Sequence, residues 1–147
     1  MAHSGRFRPK NPGKYVGDHT KIIYRSWWER NYMRRLDEDH NYCLKWSSEE
    51  IIIPYRDPVD GRPRRYFVDF WLQTPKGGKF LVEVKPHRET RSPEPKARIT
   101  KKYLSEVYTW GVNQAKWKAA SEFCADKGWK FVILTEKHGV DKSVPAR

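Results

Sequence analysis

The chain has 147 residues with 30 Lys or Arg and 18 Asp or Glu, so its formal charge is +12. This length fits one domain rather than two, and an aromatic content of 14% supplies enough large side chains for a core, which excludes wholesale disorder. No stretch has the length and apolar character of a membrane helix or a signal peptide, so we expect neither membrane insertion nor secretion.

The N-terminal segment carries cations spaced among glycine and proline. Such a composition is poor at packing a core, but it can lie along a phosphate backbone, because Lys and Arg release condensed counterions when they neutralise phosphates. The sequence therefore predicts a flexible basic arm over 1–15 and a single domain over 16–147. The alternative is an arm that only improves solubility. The cations expected to contact DNA here are Arg6, Arg8, Lys10 and Lys14.

A first helix is predicted over 27–38. Ser26 followed three residues later by Glu29 has the form of a capping box. Apolar residues then recur at helical spacing at Trp28, Tyr32 and Leu36.

Three strands follow, over 51–53, 66–72 and 79–85. Residues 57–61 form a turn-rich connection between the first two, and 75–78 read Pro-Lys-Gly-Gly, which is typical of a hairpin turn. The three strands are therefore expected to form an antiparallel meander.

The C-terminal part predicts helices over 98–109 and 113–127, with Gly111 as the break between them. Gly128 stands where a helix C-cap glycine belongs, and 129–134 is an apolar strand. A strand, helix, strand crossover favours a parallel pairing of this strand with 79–85. The order α, β, β, β, α, β predicts an α/β fold with a mixed sheet and helices on both faces.

Two acidic residues interrupt apolar strands. Asp69 stands among large apolar neighbours, and burying a lone carboxylate is costly unless something compensates it. Glu83 and Lys85 alternate onto one face of the next strand. If the two strands pair around 75–78, Asp69 and Glu83 lie nearly opposite each other. Two converging carboxylates suit Mg²⁺, with Mn²⁺ as a substitute, and Lys85 beside them can orient water or stabilise charge on a phosphate.

A structural interpretation of the same residues stays open. Glu83 and Lys85 can form an ordinary ion pair, and Asp69 can hydrogen-bond a turn. Glu29 can serve only as a capping residue, or it can also reach the site as a further metal or water ligand. On the last helix, Gln114, Lys116 and Lys118 either face the catalytic edge or belong to a solvated face.

These motifs resemble the PD-(D/E)xK nuclease superfamily. The quoted residues are Arg25-Ser26-x-x-Glu29, then Asp69, then Glu83-x-Lys85, and a later helix carrying Gln114 and Lys116. The Arg-Ser-x-x-Glu form is similar to the branch of TnsA-type transposon endonucleases. The sequence departs from the superfamily pattern at Val68, where that pattern has proline, and many members share this departure.

Longer segments are similar to the head-completion nucleases of T-even-like tailed phages. They include Pro9-Lys10-Asn11, Tyr24-Arg25-Ser26, Arg64-Arg65-Tyr66-Phe67, Glu83-Val84-Lys85-Pro86 and Lys116-Trp117-Lys118-Ala119-Ala120. The resemblance implies a restriction-endonuclease-like core and a metal-dependent DNA endonuclease that acts after packaging, on genome ends or branched DNA. It implies Glu29, Asp69 and Glu83 as metal ligands, Lys85 as the catalytic lysine, and Gln114 or Lys116 as an auxiliary residue. Arg25, Lys116 and Lys118 are further cations expected to contact DNA.

The resemblance also implies a place of action and partners. The expected place is the host cytoplasm during phage assembly, with retention in the virion left open, and capsid, portal or neck proteins are the expected partners. Two alternatives remain at this point. One is a non-catalytic protein that binds DNA ends in head completion, and the other is a branch-specific resolvase that needs a dimer.

Overall fold

The computed structural model describes residues 3–141. The first two residues of the predicted arm and the last six of the predicted domain lie outside this range. The described residues form two α-helices, α1 (Trp27–Glu38) and α2 (Lys101–Lys127). The strands are β1 (Gly5–Arg6), β2 (Ile23–Tyr24), β3 (Lys45–Ser48), β4 (Ile52–Arg56), β5 (Pro63–Phe67), β6 (Phe70–Gln73), β7 (Lys79–Val84) and β8 (Lys130–Leu134).

A four-stranded mixed sheet forms the centre of the molecule, in the order β3-β6-β7-β8. β3 and β6 are antiparallel, as are β6 and β7, and β7 pairs with β8 in parallel with Val82 opposite Val132. The parallel pairing confirms the crossover predicted through the last helix. The turn over 75–78 is also confirmed, because the N–H of Thr74 donates to the carbonyl of Gly78 at 2.8 Å.

The two faces of the sheet bury different residues. Alternate residues of β6 and β7, among them Phe70 and Val82, pack with Met33 and Leu36 of α1. The other face brings Leu81 against Trp117 of α2. Each fully buried side chain of this kind contributes roughly 1.5 to 3 kcal/mol. Helices therefore cover both faces, and the predicted α/β class with a restriction-endonuclease-like core is confirmed.

The predicted strand over 66–72 is bent into two. Its first part is β5, which pairs with β4 in a separate two-stranded sheet, and its second part is β6. At the bend, the N–H of Val68 donates to Ile51, and the carbonyl of Asp69 accepts from the N–H of Glu49 at 3.2 Å. Glu49 has φ 55°, in the left-handed region, which turns the chain between β3 and β4. The prediction of one straight strand was wrong, because the bend depends on contacts with Glu49 and Ile51 that are made only in the tertiary structure.

Helix α2 is continuous, so the predicted break at Gly111 was wrong. Glycine inside a helix costs only about 0.5 to 1 kcal/mol relative to alanine, and the packed face of α2 outweighs that cost. Asn113, at the predicted start of the second helix, is instead a buried residue inside α2. Gly128 does end α2 with φ 72°, as predicted. Among residues 3–141, no helix has the length and apolar character needed to cross a membrane.

The N-terminal segment, which the sequence predicts as a flexible arm, has residues packed against the domain. β1 pairs with β2, and the side chains of Phe7 and Tyr15 are buried in the core beside Trp46. The buried carboxylate of Asp37 accepts the backbone N–H groups of two arm residues, at 2.7 and 3.0 Å. The sequence did not reveal this because the partner of the arm, Asp37, lies more than twenty residues away.

Candidate active site

Asp69 and Glu83 meet where β6 and β7 begin to separate. The last pair in register is Phe70 and Val82, so Asp69 and Glu83 occupy the next positions outward. The Asp69 carboxylate crosses to β7, where its Oδ2 accepts the N–H of Val84 at 2.8 Å. The regular pairing of β6 with β7 ends before Asp69, at the bend, and this allows its side chain to make the contact. The structure therefore brings together the two carboxylates that the sequence predicted would converge.

Burial and mutual repulsion disfavour two negative charges here. Burial raises the pKa of Asp69 well above its usual range, and the charges of Glu83 and Glu29 raise it further. Burial also raises the pKa of Glu83, although Tyr66 and Lys85 act in the opposite direction. Two carboxylates in this arrangement share a proton or attract a cation.

Tyr66 is a member of the site that the sequence did not single out. Its hydroxyl donates to Glu83 Oε2 at 2.5 Å, and only 3% of the residue is exposed. Burial raises the pKa of Tyr66 above its usual range, as does the adjacent Glu83 charge, so the phenol stays protonated and remains a donor. In an aromatic strand this tyrosine looks like a core residue, and its pairing with Glu83 depends on β5 and β7 coming together.

Lys85 lies beside the pair, as predicted. Its Nζ is 3.9 Å from Glu83 Oε1, and its side chain is 26% exposed, so it is open to a substrate. Lys116 approaches from α2, with its Nζ 5.5 Å from the centre of the Tyr66 ring, and its charge opposes the rise in the pKa of Glu83. Gln114 and Lys118 are exposed, and two residues along a helix turn the side chain by about 200°, so these two point away from the face that carries Lys116.

Glu29 approaches from the first turn of α1. The N–H of Glu29 donates to Ser26 Oγ at 3.2 Å, while its carboxylate accepts the N–H of Arg25 at 3.1 Å rather than that of Ser26. Burial raises the pKa of Glu29, and the charges of Glu49 and Glu83 add to the rise. Glu29 is thus half-buried beside the carboxylate pair. Its role as a metal ligand stays a prediction.

Arg25 and Glu49 form a further contact at the edge of the site. Two guanidinium nitrogens of Arg25 donate to the two oxygens of Glu49, at 2.9 and 3.2 Å. Glu49 was not among the residues predicted for the site. Its left-handed backbone is the unusual feature, and no pattern in the sequence announces a non-glycine residue with positive φ.

The predicted DNA-binding cations of the arm lie on the α1 side of the molecule. The guanidinium of Arg6 donates to the carbonyl of Thr20, and Arg8 is exposed. Lys10 and Lys14 bind the end of α1, where Lys10 Nζ is 3.3 Å from Glu38 Oε1 and Lys14 Nζ donates to the carbonyl of Asp37 at 3.1 Å. Their contact with DNA stays a prediction.

The donor set suits a hard divalent cation. Asp69 and Glu83 supply oxygen ligands. The pKa values of both groups are raised, and a bound cation would lower them again because it favours the ionised carboxylates. Among residues 3–141, no group of three or more His, Cys, Asp or Glu side chains is arranged to hold a metal ion by itself. A cation at this pair would therefore take its remaining ligands from water or substrate, which is the usual way in which Mg²⁺ binds at phosphate-processing sites.

Comparison with known proteins gives two matches. Residues 40–136 match the family described as TnsA-like endonuclease N terminal. The head completion nuclease of Enterobacteria phage T4 is 44% identical over 140 residues, which cover 92% of this chain and 93% of that protein. No solved structure matches the chain. The family match spans Asp69, Glu83 and Lys85, and the two matches confirm the resemblance drawn from the sequence motifs.

Proposed function

The chain belongs to the family of TnsA-like endonucleases, and from that premise we propose that it is a Mg²⁺-dependent endodeoxyribonuclease acting in phage head completion. The name of the T4 relative supports the head-completion role, because the similarity extends over nearly the whole of both chains. Hydrolysis of DNA is the activity that the family description supports. Mn²⁺ is proposed as a functional substitute for Mg²⁺.

One observation carries the proposal, namely the convergence of Asp69 and Glu83 with Lys85 beside them. Burial raises the pKa of both carboxyl groups, and the charges of Glu83 and Glu29 raise that of Asp69 further, so the arrangement is unfavourable for folding alone. Carboxyl groups with strongly perturbed pKa values are frequent at functional sites. Lys85 Nζ lies 3.9 Å from Glu83 Oε1, and its charge also acts on Asp69.

Each residue of the site has a proposed task. Asp69 and Glu83 would hold the cation, with Glu29 as a further ligand through water, and Tyr66 fixes the orientation of Glu83. When bound, a divalent cation polarises the phosphate and lowers the pKa of coordinated water.

Lys85 would stabilise the charge that develops on the phosphate and orient the attacking water. Water attacks phosphorus, the bond from phosphorus to the 3′ oxygen breaks, and the products carry a 5′-phosphate and a 3′-hydroxyl.

The proposed substrate is the end or branch of a packaged genome. A chain with a formal charge of +12 attracts DNA through counterion release, and beside Lys85 the charges of Arg25 and Lys116 act on Asp69 and Glu83 respectively. We further propose that the protein acts in the host cytoplasm where heads are assembled, and that capsid, portal or neck proteins are its partners. Gln114 is not part of this proposal, because it is exposed away from the Lys116 face.

Cleavage of supercoiled plasmid tests the proposal directly. Wild type is expected to nick the plasmid with Mg²⁺ or Mn²⁺ and to be inactive with chelator. Asp69→Ala and Glu83→Ala should each lose activity by at least about a hundredfold while DNA affinity stays largely intact. Glu122→Gln removes a carboxylate from the exposed surface of α2 and serves as the matched control, with activity unchanged. Equal activity in all variants would overturn the site assignment.

The same assay separates the two alternative functions. Binding of DNA without cleavage under every metal condition would favour a structural protein that binds DNA ends. Strong preference for four-way or flapped substrates, together with a dimer in gel filtration, would favour a branch-specific resolvase, since two sites are needed to cut two strands.

A further inference from the structure

Trp27 is an exposed tryptophan held in a fixed position at the start of α1. It is 46% exposed, whereas the six other tryptophans of the chain are buried or half-buried. Two rings pack against it: Tyr24 stacks with centroids 5.9 Å apart and planes 24° from parallel, and His3 is tilted by 35° with centroids 5.3 Å apart. The guanidinium of Arg30 lies 5.4 Å from the Trp27 ring and 6.0 Å from the Tyr24 ring. Neighbouring groups thus fix the orientation of the ring while leaving a large part of it open to solvent.

Trp27 shares a hollow with the candidate catalytic lysine. The hollow measures about 710 Å³, and its lining includes Trp27, Lys85, Arg88, Glu89 and Glu136. Its volume lies in the range of ligand sites. Glu136 already accepts the backbone N–H of His87 at 2.7 Å, so one of the two lining carboxylates is engaged.

The combination of a partly exposed aromatic ring and cations selects a particular kind of ligand. Arg88 also lines the neighbouring hollow together with Arg91 and Lys102, so positive side chains continue from Lys85 toward α2, with the carboxylates of Glu89 and Glu106 among them. Aromatic rings that stack bases, set along a basic groove, are how proteins bind single-stranded DNA. Inside a fully paired duplex the base faces are covered by neighbouring base pairs, so a ring on the protein surface stacks most readily on an unpaired base.

We propose that this hollow binds an unpaired nucleotide of the DNA substrate, with its base stacked on Trp27 and its phosphate near Arg88 and Lys85. The inference rests on the proposed nuclease function and defines the substrate class, which is DNA with a single-stranded end, flap or gap next to the cleavage site. Trp27 is then a specificity-determining residue, and it selects such DNA over a continuous duplex.

Binding measured without metal tests the proposal separately from cleavage. Three DNA probes share one duplex: the first is blunt, the second carries a 5′ overhang and the third carries a 3′ overhang. Each overhang has 2-aminopurine at its first unpaired position. Wild type should bind one of the overhangs more tightly than the blunt duplex and change the 2-aminopurine fluorescence. Trp27→Ala should weaken overhang binding by about fivefold or more, the effect expected when one base loses its stacking partner. Binding to the blunt duplex should change little.

Two further variants keep the result interpretable. Trp27→Phe retains an aromatic face and should recover most of the overhang preference. Phe67→Ala removes a ring that is likewise exposed, at 42%, and likewise lies beside a guanidinium, that of Arg65 at 5.4 Å, but is not part of the hollow. It should leave the preference unchanged. Circular dichroism checks that each variant is folded.

The outcomes separate this inference from the function on which it rests. Equal loss for blunt and overhang DNA in Trp27→Ala, or no overhang preference in wild type, overturns the inference while cleavage of plasmid still supports the nuclease. Absence of both binding and cleavage in wild type overturns the proposed function, and the inference falls with it.

Discussion

Replacing Asp69 by asparagine is expected to stabilise the protein when no divalent cation is present. The folded state holds Asp69 with a pKa raised by burial and by Glu83, whereas the unfolded chain ionises it near its ordinary value. The folded protein therefore binds more protons, and its free energy of unfolding falls as pH rises above that ordinary value. Below it, both states are protonated and the cost vanishes. Asparagine carries no charge and still offers an oxygen to the N–H of Val84.

The size of the effect follows from the proton balance. Each pH unit over which the folded protein holds one extra proton costs about 1.4 kcal/mol, so we expect Asp69→Asn to gain on the order of 1 to 2 kcal/mol near pH 8 and almost nothing near pH 4. Urea unfolding in chelator at the two pH values measures this difference. Glu122→Gln, on the exposed surface of α2, should show no such gain.

Adding cation should reverse the order of stability. Mg²⁺ or Mn²⁺ should stabilise wild type by binding only the folded state, and it should not stabilise Asp69→Asn. Equal destabilisation of Asp69→Asn at both pH values would show that Asp69 does not destabilise the folded protein electrostatically. Asp69 would then be a structural hydrogen-bonding residue.

Further predictions concern the lysine, the packed N-terminal segment and two glycines. Lys85→Met should lower single-turnover cleavage by about a hundredfold or more with little change in DNA affinity; an unchanged rate would leave this lysine only an ion-pair role. Asp37→Ala should cost about 2 to 4 kcal/mol in urea unfolding and open residues 7–15 to protease, since its carboxylate accepts two backbone N–H groups there; full protection would contradict the docking. Gly128→Ala should destabilise by about 1 kcal/mol because of its φ of 72°, whereas Gly111→Ala should stabilise by about 0.5 to 1 kcal/mol, because it lies in a helix with open space around its Cα. Urea unfolding shows both, and equal signs would contradict the argument.

Local signals in the sequence predicted the elements whose ends are chemically marked. Ser26 caps α1, and the helix has the predicted bounds. Gly128 ends α2 and the strand after it returns to the sheet as expected. β3 was missed because three of its four residues, at 45, 47 and 48, are polar. Trp46 and pairing with β6 hold that strand in place, and both depend on distant parts of the chain.

The candidate site was predictable where charge conflicts with its surroundings. Asp69 and Glu83 interrupt apolar strands, and that conflict predicted their convergence. Tyr66 gave no such signal, since an aromatic residue in a strand is ordinary. Glu49 stands out only through its backbone angle, which the tertiary structure imposes. Trp27 also could not be identified from the sequence, because packing decides which of the seven tryptophans is exposed.

Direct measurement of Mn²⁺ binding tests the central claim, that the pair Asp69 and Glu83 holds the catalytic cation. Wild type and the double variant Asp69→Asn, Glu83→Gln would be titrated with Mn²⁺ and the free ion followed by electron paramagnetic resonance. Wild type should bind Mn²⁺ and release protons as it does so, and the double variant should lose this binding while remaining folded. Equal binding by both proteins would show that the cation is not held by Asp69 and Glu83.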